Sequence, residues 1–112
     1  MDELIVKSEI RKGAAVVTVS GRVDSVTAGA LDEQLARIAR DNNKMVLDMH
    51  GVTYLSSAGV RAIVKTLQGA QKTGGGVFLA NVSDAVERVL ETVGMLHLLR
   101  SFQTVDDALR AL

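Results

Sequence analysis

The spacing of apolar residues changes period several times along the chain, and each change marks an element. Residues 3–10, ELIVKSEI, alternate loosely between apolar and polar and stop at Lys12-Gly13. Residues 14–19, AAVVTV, are apolar and β-branched, and Gly21 closes them. Two such runs across a short glycine turn predict an antiparallel pair of strands. Over residues 25–40, Ala28, Leu31, Leu35 and Ile38 recur at helical spacing, with Asp24, Ser25 or Thr27 available as the cap. Residues 44–48, KMVLD, are a short apolar run suited to a buried strand, and a loop is expected to follow through Gly51 and Tyr54.

The alternation continues to the C-terminus. Residues 57–72 predict a second helix with Val60, Ile63, Val64 and Leu67 on one face, ended by Gly74, Gly75 and Gly76. Residues 77–81, VFLAN, predict another buried strand. Asp84 and Glu87 have capping-box spacing at the head of a third helix, whose core face is Val86, Val89, Leu90 and Val93, with Gly94 at its end. Residues 96–102, LHLLRSF, predict a short edge strand. Thr104 and Asp107 open a last helix carrying Leu109 and Leu112. Strand–helix–strand alternation implies parallel neighbours joined by helical crossovers, and the opening hairpin makes the sheet mixed. The expected fold is therefore α/β, one domain over residues 1–112, with four to five strands and about four helices.

Composition narrows the function. Lys and Arg total 13, as do Asp and Glu, so the formal net charge is zero. That balance speaks against direct nucleic-acid binding and against attraction to an anionic membrane. There are three aromatic residues and no Trp, so stacking platforms for single strands are missing as well. No apolar run approaches the roughly 20 residues of a membrane-spanning helix. The absence of cysteine excludes disulfides and thiolate metal sites, and with no signal-peptide pattern after Met1 it fits a cytoplasmic protein.

Residues 48–61, DMHGVTYLSSAGVR, hold the most informative chemistry. A Ser-Ser-Ala-Gly turn opens an amphipathic helix. A hydroxyl there faces unpaired backbone N–H groups and the positive end of the helix dipole, a place that caps the helix and also tolerates a phosphate. Ser56 and Ser57 are both candidates for the cap. Neither fits a nucleophile elbow, because residues 55–59 read LSSAG instead of G-x-S-x-G. His50, in the expected loop, is the nearest candidate base, whereas His97 falls in an apolar run and is expected to pack. Asp24 and Asp48 lie just past or at the ends of two apolar runs, and two carboxylates with a phosphate would suit a divalent ion, but such residues more often cap a helix or face water, and Asp24 is well placed to cap the first helix. Binding is expected in place of catalysis, with no metal and no cofactor.

The second helix also carries Gly59, Ala62, Thr66 and Gly69 as a stripe of small residues, with Arg61, Lys65, Gln68 and Lys72 beyond it. Such a stripe admits another backbone closely, either a neighbouring helix of the same domain or a partner. Arg61 stands one turn after Ser57, within reach of a phosphate placed there.

Three stretches together resemble the STAS domain, and within it the anti-sigma factor antagonists of bacterial partner-switching systems. They are SGRVDSVTA at 20–28, VLDMHGVTYLSSAGV at 46–60 and AVERVLETVGM at 85–95. The resemblance implies a switch. The unphosphorylated domain would bind an anti-sigma factor that is also a serine kinase, and free the kinase's target. Phosphorylation of one serine would end the binding, and a PP2C-type phosphatase would reset it. The family's D-S-S-G or D-S-T-G pattern puts its aspartate on Ser56 and its acceptor serine on Ser57, with Ser56 as the alternative acceptor. Asp24 matches an aspartate of the family's partner-binding region. Taking these matches together with the helix-start reading and the small-residue stripe, the expected partner surface comprises Asp24, Ser56, Ser57, Ala58, Gly59, Arg61, Ala62 and Thr66. Within the same family, the alternative role is that of a non-switching subunit of a lipid ABC transporter or of a signalling scaffold.

Overall fold

A computed structural model describes residues 3–112. The opening hairpin pairs β1 (Ile5–Arg11) with β2 (Ala14–Val23) in antiparallel register, Arg11 opposite Ala14. Its two-residue turn puts Lys12 at φ 52° and Gly13 at φ 78°. Positive φ at both positions is what a type I′ turn requires, and the expected hairpin forms.

The chain then alternates through α1 (Ala28–Ala39), β3 (Lys44–Leu55), α2 (Ser57–Gln71), β4 (Gly76–Ala80), α3 (Asp84–Thr92), β5 (Ser101–Phe102) and α4 (Val105–Ala111). The sheet order is β1-β2-β3-β4-β5, and the last four strands are parallel. Each crossover steps to the next strand in the same direction. Right-handed crossovers of that kind put their helices on one face of the sheet. Accordingly Leu31 and Leu35 of α1, Ile63 of α2 and Leu90 of α3 share one core with Ala15, Val17 and Val19 of β2. The alternate residues Ala14 and Val16 point the other way and meet Ala108 and Leu109 of α4. Both faces of the central strands are covered, which is why those strands read as apolar runs.

Four expectations change. First, β3 does not stop at residue 48. It continues to Leu55, and β2 continues to Val23, because the two strands pair in parallel well past their apolar stretches. Register shifts between Thr18 and Ser20 and between Gly21 and Arg22 break the alternation. The inward positions on β3 are Met45, Leu47 and Met49, then Val52 and Leu55. A step of three in place of two hides a strand from a period-two reading. Second, the expected strand over 96–102 shrinks to Ser101–Phe102. The N–H groups of Leu98 and Leu99 both donate to the Met95 carbonyl, making a turn that buries Leu99. His97 is exposed on that turn, not packed. Third, α3 is capped by Ser83, whose Oγ accepts the Val86 N–H at 3.2 Å, and Asp84 is its first helical residue. Fourth, residues 25–27 form a turn ahead of α1, which begins at Ala28, the first of its periodic apolar residues. Thr104 does cap α4, accepting the Asp107 N–H at 3.1 Å.

Candidate functional site

Adjacent parallel strands β2 and β3 end side by side, and their exits form one surface. Val23 pairs with Leu55, and the Ser56 N–H donates to the Val23 carbonyl at 2.8 Å. Strand ends of an open α/β sheet are where such folds gather their ligands.

The exit of β2 is organised by Asp24. Its Oδ1 accepts the N–H groups of Val26 at 2.9 Å and Thr27 at 3.0 Å. The Asp24 N–H donates to Thr27 Oγ1 at 2.9 Å, and the Thr27 hydroxyl donates to the Arg22 carbonyl at 2.9 Å. Of the three cap candidates, Thr27 holds the N-cap position of α1 without a side-chain cap bond, while the Asp24 carbonyl accepts the Ala28 N–H at 2.9 Å. The Thr27 N–H is the main cause holding the Asp24 carboxyl below its ordinary 3.8. Desolvation works against it, and the Val26 N–H, the Thr27 hydroxyl and Arg22 add to the lowering.

Arg22 and Tyr54 join this turn to the end of β3. Arg22 Nε donates to Asp24 Oδ2 at 3.2 Å, and its guanidinium lies 4.1 Å from the centre of the Tyr54 ring. Val26, at the tip, is 86% exposed. None of Arg22, Val26 or Tyr54 stood out in the sequence. The one available signal was the Arg22–Asp24 spacing, which puts two opposite charges on one side of an extended chain.

The exit of β3 separates the two serines. Ser56 is the N-cap of α2, with extended backbone (φ −85°, ψ 167°), and its Oγ accepts the Gly59 N–H at 3.2 Å. Ser57 is the first helical residue and is exposed. Among the described residues its hydroxyl has no hydrogen-bond partner. Ala58 is half-buried beside it. Gly59 is a close-approach position: a Cβ there would lie 2.6 Å from Val23 Cγ1 and 2.7 Å from Leu55 Cδ1.

The small-residue stripe turns inward. Gly59 is buried, Ala62 is 6% exposed and Thr66 is 8% exposed, with Thr66 Oγ1 donating to the Ala62 carbonyl at 3.0 Å. Ala62 lies beside Ala28 and Asp32 of α1 and Thr66 beside Asp32 and Ala36, whereas Gly59 lies against Val23 and Leu55. Ala62 and Thr66, expected to extend the partner surface, are thus nearly covered by α1 of the same domain. Gly69 alone in the stripe is exposed. Arg61 is exposed as expected and makes no ion pair among the described residues, whereas Lys65 reaches Asp32 at 3.2 Å. Arg61 stands between two shallow grooves. One, of about 350 Å³, runs past Ser25 and Ala58. The other, of about 390 Å³, runs past Ser57, Val64, Val93 and Met95.

The other candidate chemistry is dispersed. His50 lies within β3 and lines a separate groove with Asn81, Glu87 and Gln103, so it is not beside Ser57. Asp48 is also within β3, where its Oδ1 accepts the His50 N–H at 3.1 Å and Asn81 Nδ2 at 3.0 Å. Asp48 pairs with Thr18, and Asp24 lies six residues beyond Thr18, so at about 3.3 Å per residue the two carboxylates stand about 20 Å apart along the sheet. They cannot share an ion. Among the described residues no cluster of three or more metal-binding side chains occurs, and no helix is long and apolar enough to cross a membrane.

The whole domain is similar to known proteins. The family model described as the STAS domain matches residues 6–108. The anti-sigma-F factor antagonist RsfB of Mycobacterium tuberculosis is 30% identical over 111 residues, covering 96% of this chain and 88% of that protein. The anti-sigma-B factor antagonist of Bacillus subtilis is 28% identical over 79 residues, covering 70% and 72%. The crystal structure of an anti-sigma factor antagonist from Mycobacterium paratuberculosis superposes with a TM-score of 0.88 at 30% identity, covering 98% of this chain and 94% of the other.

Proposed function

The chain belongs to the STAS domain family, and from that premise we propose that it is a cytoplasmic anti-sigma factor antagonist switched by phosphorylation of Ser57. In its unphosphorylated form it binds an anti-sigma factor that is also a serine kinase. The binding surface is the shared exit of β2 and β3: Asp24, Ser56, Ser57, Ala58 and Arg61, with Val26 and Tyr54 beside them. The kinase phosphorylates Ser57 and lets go, and a PP2C-type phosphatase removes the phosphate. The domain binds and does no chemistry of its own.

One observation carries this reading. Ser56 is committed to the cap, which leaves Ser57 as the exposed hydroxyl at the same helix start. A phosphate there would bring about −1.5 to −2 charges into the middle of the surface. Burying it unpaired against a partner would cost several kcal/mol, more than an exposed polar contact returns. Within the domain the same phosphate is tolerated, because it faces the positive end of α2.

The test is calorimetry with the purified kinase. Ser57→Asp is expected to bind weakly, and Ser57→Ala to bind as tightly as the unmodified protein while ignoring ATP. Equal affinity of the two variants would reject the switch.

A further inference from the structure

We propose that β1 is a homodimer interface, pairing with β1 of a second copy to make one ten-stranded sheet. This goes beyond the switch and does not depend on it. β1 is the outer strand of the sheet, seven residues long, with one side of its backbone ladder unpaired. Such edges invite another strand unless they are short, covered or charged against it. Here the charge pattern favours one specific partner.

An antiparallel copy centred on Ser8 places Ser8 opposite Ser8, Lys7 opposite Glu9, Val6 opposite Ile10 and Ile5 opposite Arg11. Directly opposite residues of an antiparallel pair project to the same face. The face that packs on α4 would therefore carry two Lys7–Glu9 pairs, one at each side of the axis. Within the monomer, Lys7 and Glu9 face Thr18 and Val16 across the hairpin, and among the described residues neither makes an ion pair. The face under α1 would carry two Val6–Ile10 contacts. Val6 already packs on the main core at that edge, and Ile10 is 62% exposed. Ile5, 46% exposed, would lie along the aliphatic stem of Arg11.

The geometry leaves room. α1 packs against β1 and β2, so with strands about 4.8 Å apart the two α1 helices would stand about 10 Å from each other, an ordinary packing distance. The axis is normal to the sheet, so strands of the second copy run the opposite way. The two Ser57 surfaces then lie at opposite ends of the composite sheet, and both stay open. A single strand pair sits below the roughly 1,200 Å² of a standard interface, so the dimer is weak and concentration-dependent.

The experiment is sedimentation equilibrium at low salt on the full chain and two variants, Lys7→Glu and Glu9→Lys, each checked for an unchanged melting transition. The unmodified protein is expected to dimerise as its concentration rises. Either variant puts like charges opposite each other twice, and the dissociation constant should rise at least about tenfold. Mixing the two variants restores both pairs, so the mixture should associate as tightly as the unmodified protein. Three results would overturn the proposal: a monomer at every concentration, a dimer indifferent to both variants, or loss of the dimer that mixing does not restore.

Discussion

The Gly59 N–H donates to Ser56 Oγ at 3.2 Å, and this one bond assigns different duties to two neighbouring serines. Ser56 is held by the helix it caps. Ser57, one residue later, keeps an exposed hydroxyl at the same dipole.

Removing each hydroxyl should therefore have different consequences. Ser56→Ala loses the cap and is expected to lower stability by about 1 kcal/mol, while Ser57→Ala leaves it nearly unchanged. Chemical denaturation measures both. With kinase and ATP, mass spectrometry should find phosphate on Ser57 in the unmodified protein and none in Ser57→Ala.

Gly59 and Ala62 should respond to added bulk as core positions. Gly59→Ala drives a methyl group against Val23 and Leu55, and Ala62→Gln drives a long side chain between α2 and α1. Each is expected to cost about 1–3 kcal/mol by overpacking. Measured at a temperature where the variant is folded, partner binding should persist. A variant of unchanged stability that has lost binding would return Ala62 to the partner surface.

Asp24 makes a pH-dependent contribution whose sign follows from its hydrogen bonds. Its carboxyl is held below its ordinary 3.8 in the folded protein, so the unfolded chain takes up the proton more readily. The contribution is present above that ordinary value and is lost as pH falls through the lowered one. Asp24→Asn keeps an oxygen for the Val26 and Thr27 N–H groups but does not titrate. Between about pH 5 and pH 3 the melting temperature of the unmodified protein should fall more than that of the variant.

Arg61 should hold a phosphate on Ser57. The two residues are one helical turn apart, and both are exposed. Phosphorylation is expected to raise the melting temperature more with Arg61 intact than in Arg61→Gln. The difference is worth less than about 1 kcal/mol and should vanish at high salt. An identical response of both proteins at low salt would leave the phosphate to the backbone N–H groups alone.

The core helices, the hairpin and the centres of β2, β3 and β4 were legible in the sequence because each is decided by local periodicity. Leu31 and Leu35, Val60 and Ile63, and Val86 and Leu90 recur at helical spacing whatever surrounds them, and Lys12-Gly13 suits its turn by its own backbone preference. The motif around Ser57 was legible for the same reason: a serine pair ahead of an amphipathic run marks a helix start. What only the tertiary structure decided depends on neighbours distant in sequence. β3 runs to Leu55 because β2 lies beside it, and the register shifts that let them pair also erase the alternation that would have announced a strand. The Ser83 cap and the Leu99 turn depend on where chain segments enter and leave the sheet. The stripe of Gly59, Ala62 and Thr66 had the same spacing whatever it faced, and only the tertiary packing put Gly59 against Val23 and Leu55 and Ala62 and Thr66 beside α1. Arg22 on β2 meets Tyr54 on β3 for a similar reason: two strands distant in the chain end together, and a period read along one segment carries no information about the segment beside it.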